Sequence, residues 1–362
     1  MTATLADAGP ISAQGRVRNG RQFADLLYRR LRLRNPWNYK APLLISLPYF
    51  MIASGRVPWD LALLGILAAL CTIAGIAGVA YFINDLGDAR ADLRAGKDNV
   101  VAGMGWRQRA LTLTVFLAAA LGPWLYLPFT RTSGILLAAE FGLFVVYCFP
   151  PFRLKERGFL GVIADAAYAH TLPAVLAVLT FAYMASEPYP YLSTFLPALA
   201  AWQLALGMRN IVLHQLQDHD RDAVGGTRTL AVTLGPERLA AILKTWLVPL
   251  EIVAFAGFAI VASRSMPWLA PAYAAYVLLA TGRLKLLGQP LPSTVREGLY
   301  TYADNFYADW LPLLILGYLL TRVPACWPLA VLHVVLFRNG LRQSLQDLKS
   351  RFLMPANAAS EL

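Results

Sequence analysis

The sequence predicts an all-α, polytopic integral membrane bundle of nine to ten transmembrane helices. Composition is the first reason: 57% of the 362 residues are apolar and 15% charged, against roughly 45–50% and about 25% in globular chains. The apolar residues also fall into blocks of about 20, the length at which a helix rising about 1.5 Å per residue crosses about 30 Å of hydrocarbon. Third, lysine and arginine collect in the short connections between blocks, and chiefly in alternate ones.

Taken in order, residues 1–41 form a basic cytoplasmic segment. Phe23, Leu27 and Leu31 recur every four residues among arginines, the pattern of a basic amphipathic helix on anionic headgroups; a disordered basic tail is the alternative. With no apolar h-region in residues 1–20, insertion is expected to begin at the first span. The transmembrane domain covers 42–337. Its spans lie at 42–57, 60–83, 109–128, 133–150, 158–183, 191–216, 237–262, 267–282 and 299–321, with a tenth, short run at 323–337 that crosses or re-enters. Residues 338–362 form a basic cytoplasmic tail.

With the N-terminus inside, 27 lysines and arginines fall on the cytoplasmic side, four of them counted between spans six and seven. Four fall outside, at Arg56, Arg131, Arg264 and Arg322, and Lys244 lies within span seven. The asymmetry orients the chain N-terminus-in, in the cell (inner or plasma) membrane. It also accounts for the net charge of +11 without nucleic acid, whose binders gather basic residues on one solvated face. Cys71, Cys148 and Cys326 are too scattered for a disulfide framework or a zinc pair. G-x-S-x-G and H-E-x-x-H are absent, and Gly96-Lys97 lacks the rest of a P-loop, so no nucleotide cofactor is expected.

Two acidic clusters carry the chemistry. Span two ends in Asn84-Asp85-Leu-Gly-Asp88-Ala-Arg-Ala-Asp92; if the helix continues, Asn84, Asp88 and Asp92 share one face, with Asp85 one residue round. Span six ends in Asp218-His-Asp220-Arg-Asp222, again with acids four apart. Like charges at that spacing repel, so each cluster calls for a cation. A solvated helix end would explain one cluster, but two of matching spacing fall on the same side of the membrane. Hard oxygen ligands suit Mg²⁺ bridging a carboxylate or two to a substrate phosphate. An EF-hand fails, because Ala223 and Thr229 stand where that loop needs Gly and Glu. Lys97, Arg153, Lys155 and Arg228 lie beside the acids, suited to diphosphate oxygens or to anchoring the topology. Tyr81, Phe82, Tyr147 and Phe149 fall near the same cleft, at a membrane boundary where aromatic residues also serve as belt anchors.

This pattern resembles the UbiA superfamily of intramembrane prenyltransferases. Asn84, Asp85, Asp88 and Asp92 match its N-D-x-x-D-x-x-x-D signature, and Asp218 and Asp222 its D-x-x-x-D. Gly226-x-Arg228-Thr229 is similar to the continuation of the second motif, and Tyr147 to Gly158 to the span-four loop. A departure is that Lys97 alone fills the basic places after the first motif, with Val101 at the second.

The resemblance implies an isoprenyl diphosphate donor in a cytoplasmic acidic cleft. Mg²⁺ would be held by Asp85, Asp88, Asp92, Asp218 and Asp222, with Asn84, Lys97, Arg153, Lys155 and Arg228 on the diphosphate. The catalytic set would be Asp88, Asp92, Asp218, Asp222 and Tyr147. A small-molecule or lipid acceptor, aromatic or quinone-precursor, would capture the prenyl group; phosphoribosyl transfer to a polyprenyl phosphate and terpene cyclisation use the same kind of cleft. An ion-coupled transporter is the rival class, though its coupling site belongs near the midplane. Deeper in the spans, Glu140, Glu251, Asp165 and His170 are polar residues of functional interest. Asp165 is placed to orient an acceptor, and Glu140 and Glu251 are expected to be protonated or to hydrogen-bond between helices. His214 is expected to bond a neighbouring helix, with assistance to the acceptor as the alternative, and Asp304, Asn305 and Asp309 to border the cavity.

Overall fold

The computed structural model describes residues 37, 39–55, 57–286 and 304–353, and among them every regular element is helical. The helices are α1 (Ala41–Gly55), α2 (Trp59–Arg94), α3 (Trp106–Leu121), α4 (Arg131–Cys148), α5 (Phe159–Met184), α6 (Leu192–Gly225), the short α7 (Leu230–Leu234), α8 (Pro236–Ala262), α9 (Leu269–Leu286), α10 (Leu311–Arg322) and α11 (Trp327–Leu353). Five of them, α2, α4, α5, α6 and α8, are long and apolar enough to cross a membrane; α1 and the stretch Leu269–Leu278 are apolar but shorter. Each expected span coincides with a helix, although 299–303 lie outside the described residues, as do residues 1–36 with their amphipathic segment.

Two helices overrun their apolar stretches. α2 continues eleven residues past 83 and α6 nine past 216, so both acidic motifs ride on rigid helical extensions. α6 then stops at Gly226, whose left-handed φ of 76° suits glycine. The extensions meet at one end of the bundle, where Gly225 packs against the Ala91 carbonyl. α11 departs from expectation at the other boundary. It breaks at Phe337 but resumes to Leu353, and Ser344 hydrogen-bonds Asp309, so the first part of the expected basic tail is helix that meets the bundle.

Prolines shape three of the helices in the same way. π-turns occupy Ala167–Thr171 in α5, Leu243–Leu247 in α8 and Phe306–Trp310 leading into α10, and each ends two residues before a proline, Pro173, Pro249 and Pro312. A proline has no N–H for the carbonyl four residues back and its ring crowds that carbonyl. That carbonyl falls inside each π-turn, where the wider i→i+5 spacing relieves the conflict.

The core lies where α6, α8 and the α10 turn meet. Trp202 packs against Phe255 (4.7 Å), Phe258 (4.8 Å) and Tyr307 (5.1 Å between ring centroids). α2 and α3 are held closer still by small residues: a Cβ at Gly75 would sit 2.2 Å from the Ala120 backbone nitrogen, and one at Gly78 2.3 Å from the Phe116 ring. Gly75→Val should therefore lower the thermal midpoint in detergent by an amount equivalent to about 1–3 kcal/mol of overpacking. Gly142→Val, where a Cβ meets nothing within 4 Å, serves as the control, and equal midpoints for the two would refute the close packing.

Candidate active site

A cavity of about 1120 Å³ opens between the acidic extensions and runs down into the bundle. At its mouth, Asn84, Asp88 and Asp92 of α2 face Asp218 and Asp222 of α6. The helical period that aligns the first three turns Asp85 about 100° away, and Asp85 is buried outside the cavity wall. The expected place of Asp85 among ligands in the cleft is thus not the one the fold gives it.

Each acidic wall is answered by a lysine from a connection. Lys97, three residues beyond α2, lies 3.3 Å from both Asp218 and Asp222. Lys155, buried in the 3₁₀ turn Leu154–Glu156, contacts Asp88, which Arg153 also approaches at 3.5 Å. Asn99 donates to Asp92 at 2.8 Å and to the Asp85 carbonyl at 2.7 Å, closing the loop onto α2. Arg153, with a left-handed φ of 41°, is spent mainly on Glu156 (2.7 Å) and the Cys148 carbonyl (3.2 Å), outside the cavity wall. Arg228 is exposed and also outside it, while its neighbours Thr227 and Thr229 line the wall. Of the expected diphosphate contacts, the fold thus brings together Asn84, Lys97 and Lys155. Alternation along the Gly226–Thr229 segment sends Arg228 the other way.

Below the mouth, Tyr147 of α4 lies in the wall with its ring 5.3 Å from that of Tyr168. Tyr81 lines it too, whereas Phe82 and Phe149 do not. Asp165 accepts a hydrogen bond from Tyr168 at 3.0 Å. His214 stands 3.8 Å from Asp218 on its own helix rather than bridging to another. Glu140 borders the cavity deeper down.

The residue the sequence reading misplaced is Arg209, counted with the loop after span six but fully buried within α6. It makes paired contacts with Glu251 (2.6 and 2.9 Å) and Asp304 (2.7 and 2.8 Å), and reaches Asn210 at 2.7 Å. Its signal was the break Gly207-Met-Arg209-Asn210 in an apolar run. The expected hydrogen bond of Glu251 is this ion pair. Asp304 lines the cavity, and so does His170, 3.4 Å from Asn210; Asn305 and Asp309 do not line it.

The donor set fits a hard divalent cation. It is all carboxylate oxygen, and two ammonium groups already mark points where acids converge on positive charge. Among the described residues no three acids, histidines or cysteines gather about one point, so the five aspartates implied as ligands do not form one preassembled cage; a magnesium ion can take one or two carboxylates and leave its remaining positions to substrate phosphate.

The sequence model of the UbiA prenyltransferase family matches residues 41–293. The chain belongs to that family, and its long apolar helices are those of an integral membrane protein. It is 32% identical over 179 residues to the lycopene elongase/hydratase of Haloferax volcanii, a match covering 49% of this chain and 54% of that protein; the chain thus spans about half the length of that curated relative. Its fold is similar to the structure of a UbiA homolog from Archaeoglobus fulgidus bound to DMAPP and Mg²⁺, with a TM-score of 0.52 and 19% identity over 80% of this chain and 98% of the other. The same homolog bound to GPP and Mg²⁺ gives a TM-score of 0.51 with the same identity and coverage.

The lysine clamp has a pH signature. Burial works against the Lys97 ammonium, but Asp218 and Asp222 outweigh it and hold its pKa above the usual lysine value. Burial, with Asp218 adding repulsion, also lifts Asp222 above the usual aspartate range despite Lys97. Both groups are thus more easily protonated when folded, so the charged pair exists between the raised Asp222 value and the raised Lys97 value. Lys97→Met should destabilise the protein by about 1–2 kcal/mol inside that window. The deficit should shrink below it, as Asp222 takes a proton, and above it, as wild-type Lys97 loses one. A deficit that stays constant from acid to alkaline pH, followed by thermal unfolding in detergent, would refute the clamp.

Proposed function

We propose that this protein transfers a short prenyl group from an isoprenyl diphosphate to an unsaturated hydrocarbon acceptor lying along its cavity. The observation that carries this reading is the shape of the cavity. It starts at the paired acids and follows α2 from Asp92 to Ala69, a span of about 35 Å at the helical rise, and its lower wall includes Ala69, Ile73, Ile76 and Ala77. A diphosphate head fits the charged mouth, and a long apolar acceptor fits the arm. Two likenesses support it: the Haloferax relative is named for elongating lycopene, and the Archaeoglobus homolog binds DMAPP and GPP with Mg²⁺. These favour a linear polyene over the aromatic acceptor expected from the sequence.

Asp88 and Asp92 on one wall and Asp218 and Asp222 on the other would hold Mg²⁺, which when bound supplies positive charge to the leaving diphosphate. Lys97 and Lys155 bring two more cations to that mouth, Asn84 offers an amide, and Tyr147 presents an aromatic face to the allylic carbon, worth about 0.5–2 kcal/mol to a desolvated cation. Asp85 is buried beside this set, outside the cavity wall. The N-terminus and the acid mouth are assigned to the cytoplasm on the charge bias, with ten crossings if α11 spans as far as its break at Phe337.

Purified protein given dimethylallyl diphosphate, lycopene and Mg²⁺ should release diphosphate and form a prenylated polyene. Chelator should stop both, and Asp88→Asn or Asp222→Asn should lower the rate by at least about 100-fold, the scale of losing preorganised charge, while leaving the folded bundle intact. Full turnover in either variant would remove the acids from the mechanism. Product formation only with an aromatic acceptor in place of lycopene would overturn the polyene assignment and leave the donor assignment standing.

A further inference from the structure

Prenylation of an alkene or arene leaves a positive charge on the acceptor, which is discharged either by loss of a neighbouring proton or by capture of water, and only proton loss restores a double bond. The structure holds a carboxylate in the right place for that step outside the metal-type clusters. Asp165 lies six residues into α5, about 9 Å below the helix N-terminus, on the cavity wall with Tyr147, Tyr168 and His214. Its Oδ2 accepts the Tyr168 hydroxyl at 3.0 Å. Tyr168 is itself fixed between two rings, Tyr147 at 5.3 Å and Phe144 at 4.9 Å, both edge-on, and it sits inside the α5 π-turn, a feature that recurs at functional sites. Lys40 and His214 are the basic groups within electrostatic range of Asp165, and neither forms an ion pair with it within 4 Å. Asp165 remains half-buried, so its second oxygen stays open to the cavity.

We infer that Asp165, oriented by Tyr168, is the base that receives the proton lost by the prenylated acceptor; this rests on the prenyl-transfer reading above. The bond changes balance without a further reactant. The donor C1–O bond breaks and its electron pair leaves on diphosphate. An acceptor π pair forms the new C–C bond to C1, leaving the adjacent carbon cationic. A C–H bond beside that carbon then breaks, its pair restores a double bond, and the proton passes to the open oxygen of Asp165. Tyr168 is a positioning residue: its hydroxyl occupies the other oxygen and fixes which one faces the acceptor.

The test compares products per diphosphate released, with dimethylallyl diphosphate and lycopene as probes. In Asp165→Asn, diphosphate release should stay within about threefold of wild type while prenylated polyene with the restored double bond falls by about 100-fold per diphosphate, the usual worth of a general base. Prenylated polyene carrying a hydroxyl, from capture of the acceptor cation by water, should make up the difference. Tyr168→Phe should lower the same ratio by about tenfold, a smaller loss because the carboxylate remains. An unchanged ratio in folded Asp165→Asn overturns the assignment, whether or not the total rate falls. Should Asp165→Asn fail to fold, an unchanged ratio in Tyr168→Phe overturns it instead. Wild-type protein that releases no diphosphate is a different failure, which removes the prenyl-transfer reading and the base with it.

Discussion

Four carboxylates gathered at one end of an apolar bundle form the constraint on which the rest of the structure depends. Each carboxylate drawn from bulk water costs several kcal/mol unless a cation meets it. The compensating charges come from connections: Lys97 reaches across from the end of α2 to the α6 acids, and Lys155 meets Asp88 from the turn after α4. The two acidic helices can therefore converge until Gly225 touches Ala91. A cavity with an anionic rim and cationic side chains within reach follows directly from that convergence. The lysines that stabilise the empty mouth are also the cations a diphosphate would meet there.

The same rule operates deeper, with less room for water. Arg209 uses its guanidinium to satisfy two carboxylates at once, tying α6 to α8 and to the segment entering α10. Deleting the arginine alone would strand both acids, a change that typically costs about 3–5 kcal/mol, whereas apolar replacement of a whole network is often neutral. Stability therefore does not explain the network by itself. Its geometric effect is specific: it fixes the register of three elements and holds Asp304 at the cavity wall.

Much of this was legible in the sequence because it follows from period and charge. The helical spacing of Asn84, Asp88 and Asp92 put them on one face, and that face is the cavity wall. The matching spacing of Asp218 and Asp222 put them opposite. Asp85 was assigned by motif membership, but its rotation by one residue takes it out of the cleft. Arg228 followed the same course, since position beside an acid in sequence does not fix side in a four-residue turn. Arg209 was misplaced because counting charges by loop ignores partners more than 40 residues away, Glu251 and Asp304, which make a buried arginine tolerable. α11 was cut short at Arg338 because its later half is polar, although Ser344 docks it through a hydrogen bond to Asp309.

The π-turn in α5 keeps Ala177 and Phe181 on the cavity face that Asp165 begins. Asp165, Ala169, Pro173, Ala177 and Phe181 all line the cavity, with Tyr168, His170, Leu176 and Thr180 beside them. In an uninterrupted helix of 3.6 residues per turn, the sixteen residues from Asp165 to Phe181 would drift about 160° around the axis, and the last would face away from the first. The extra residue of the π-turn removes about 100° of that drift. Pro173 forces the turn by withholding its N–H. One proline thus allows a single face of α5 to carry Asp165 near the reacting carbon and the apolar side chains that would flank the acceptor chain below it.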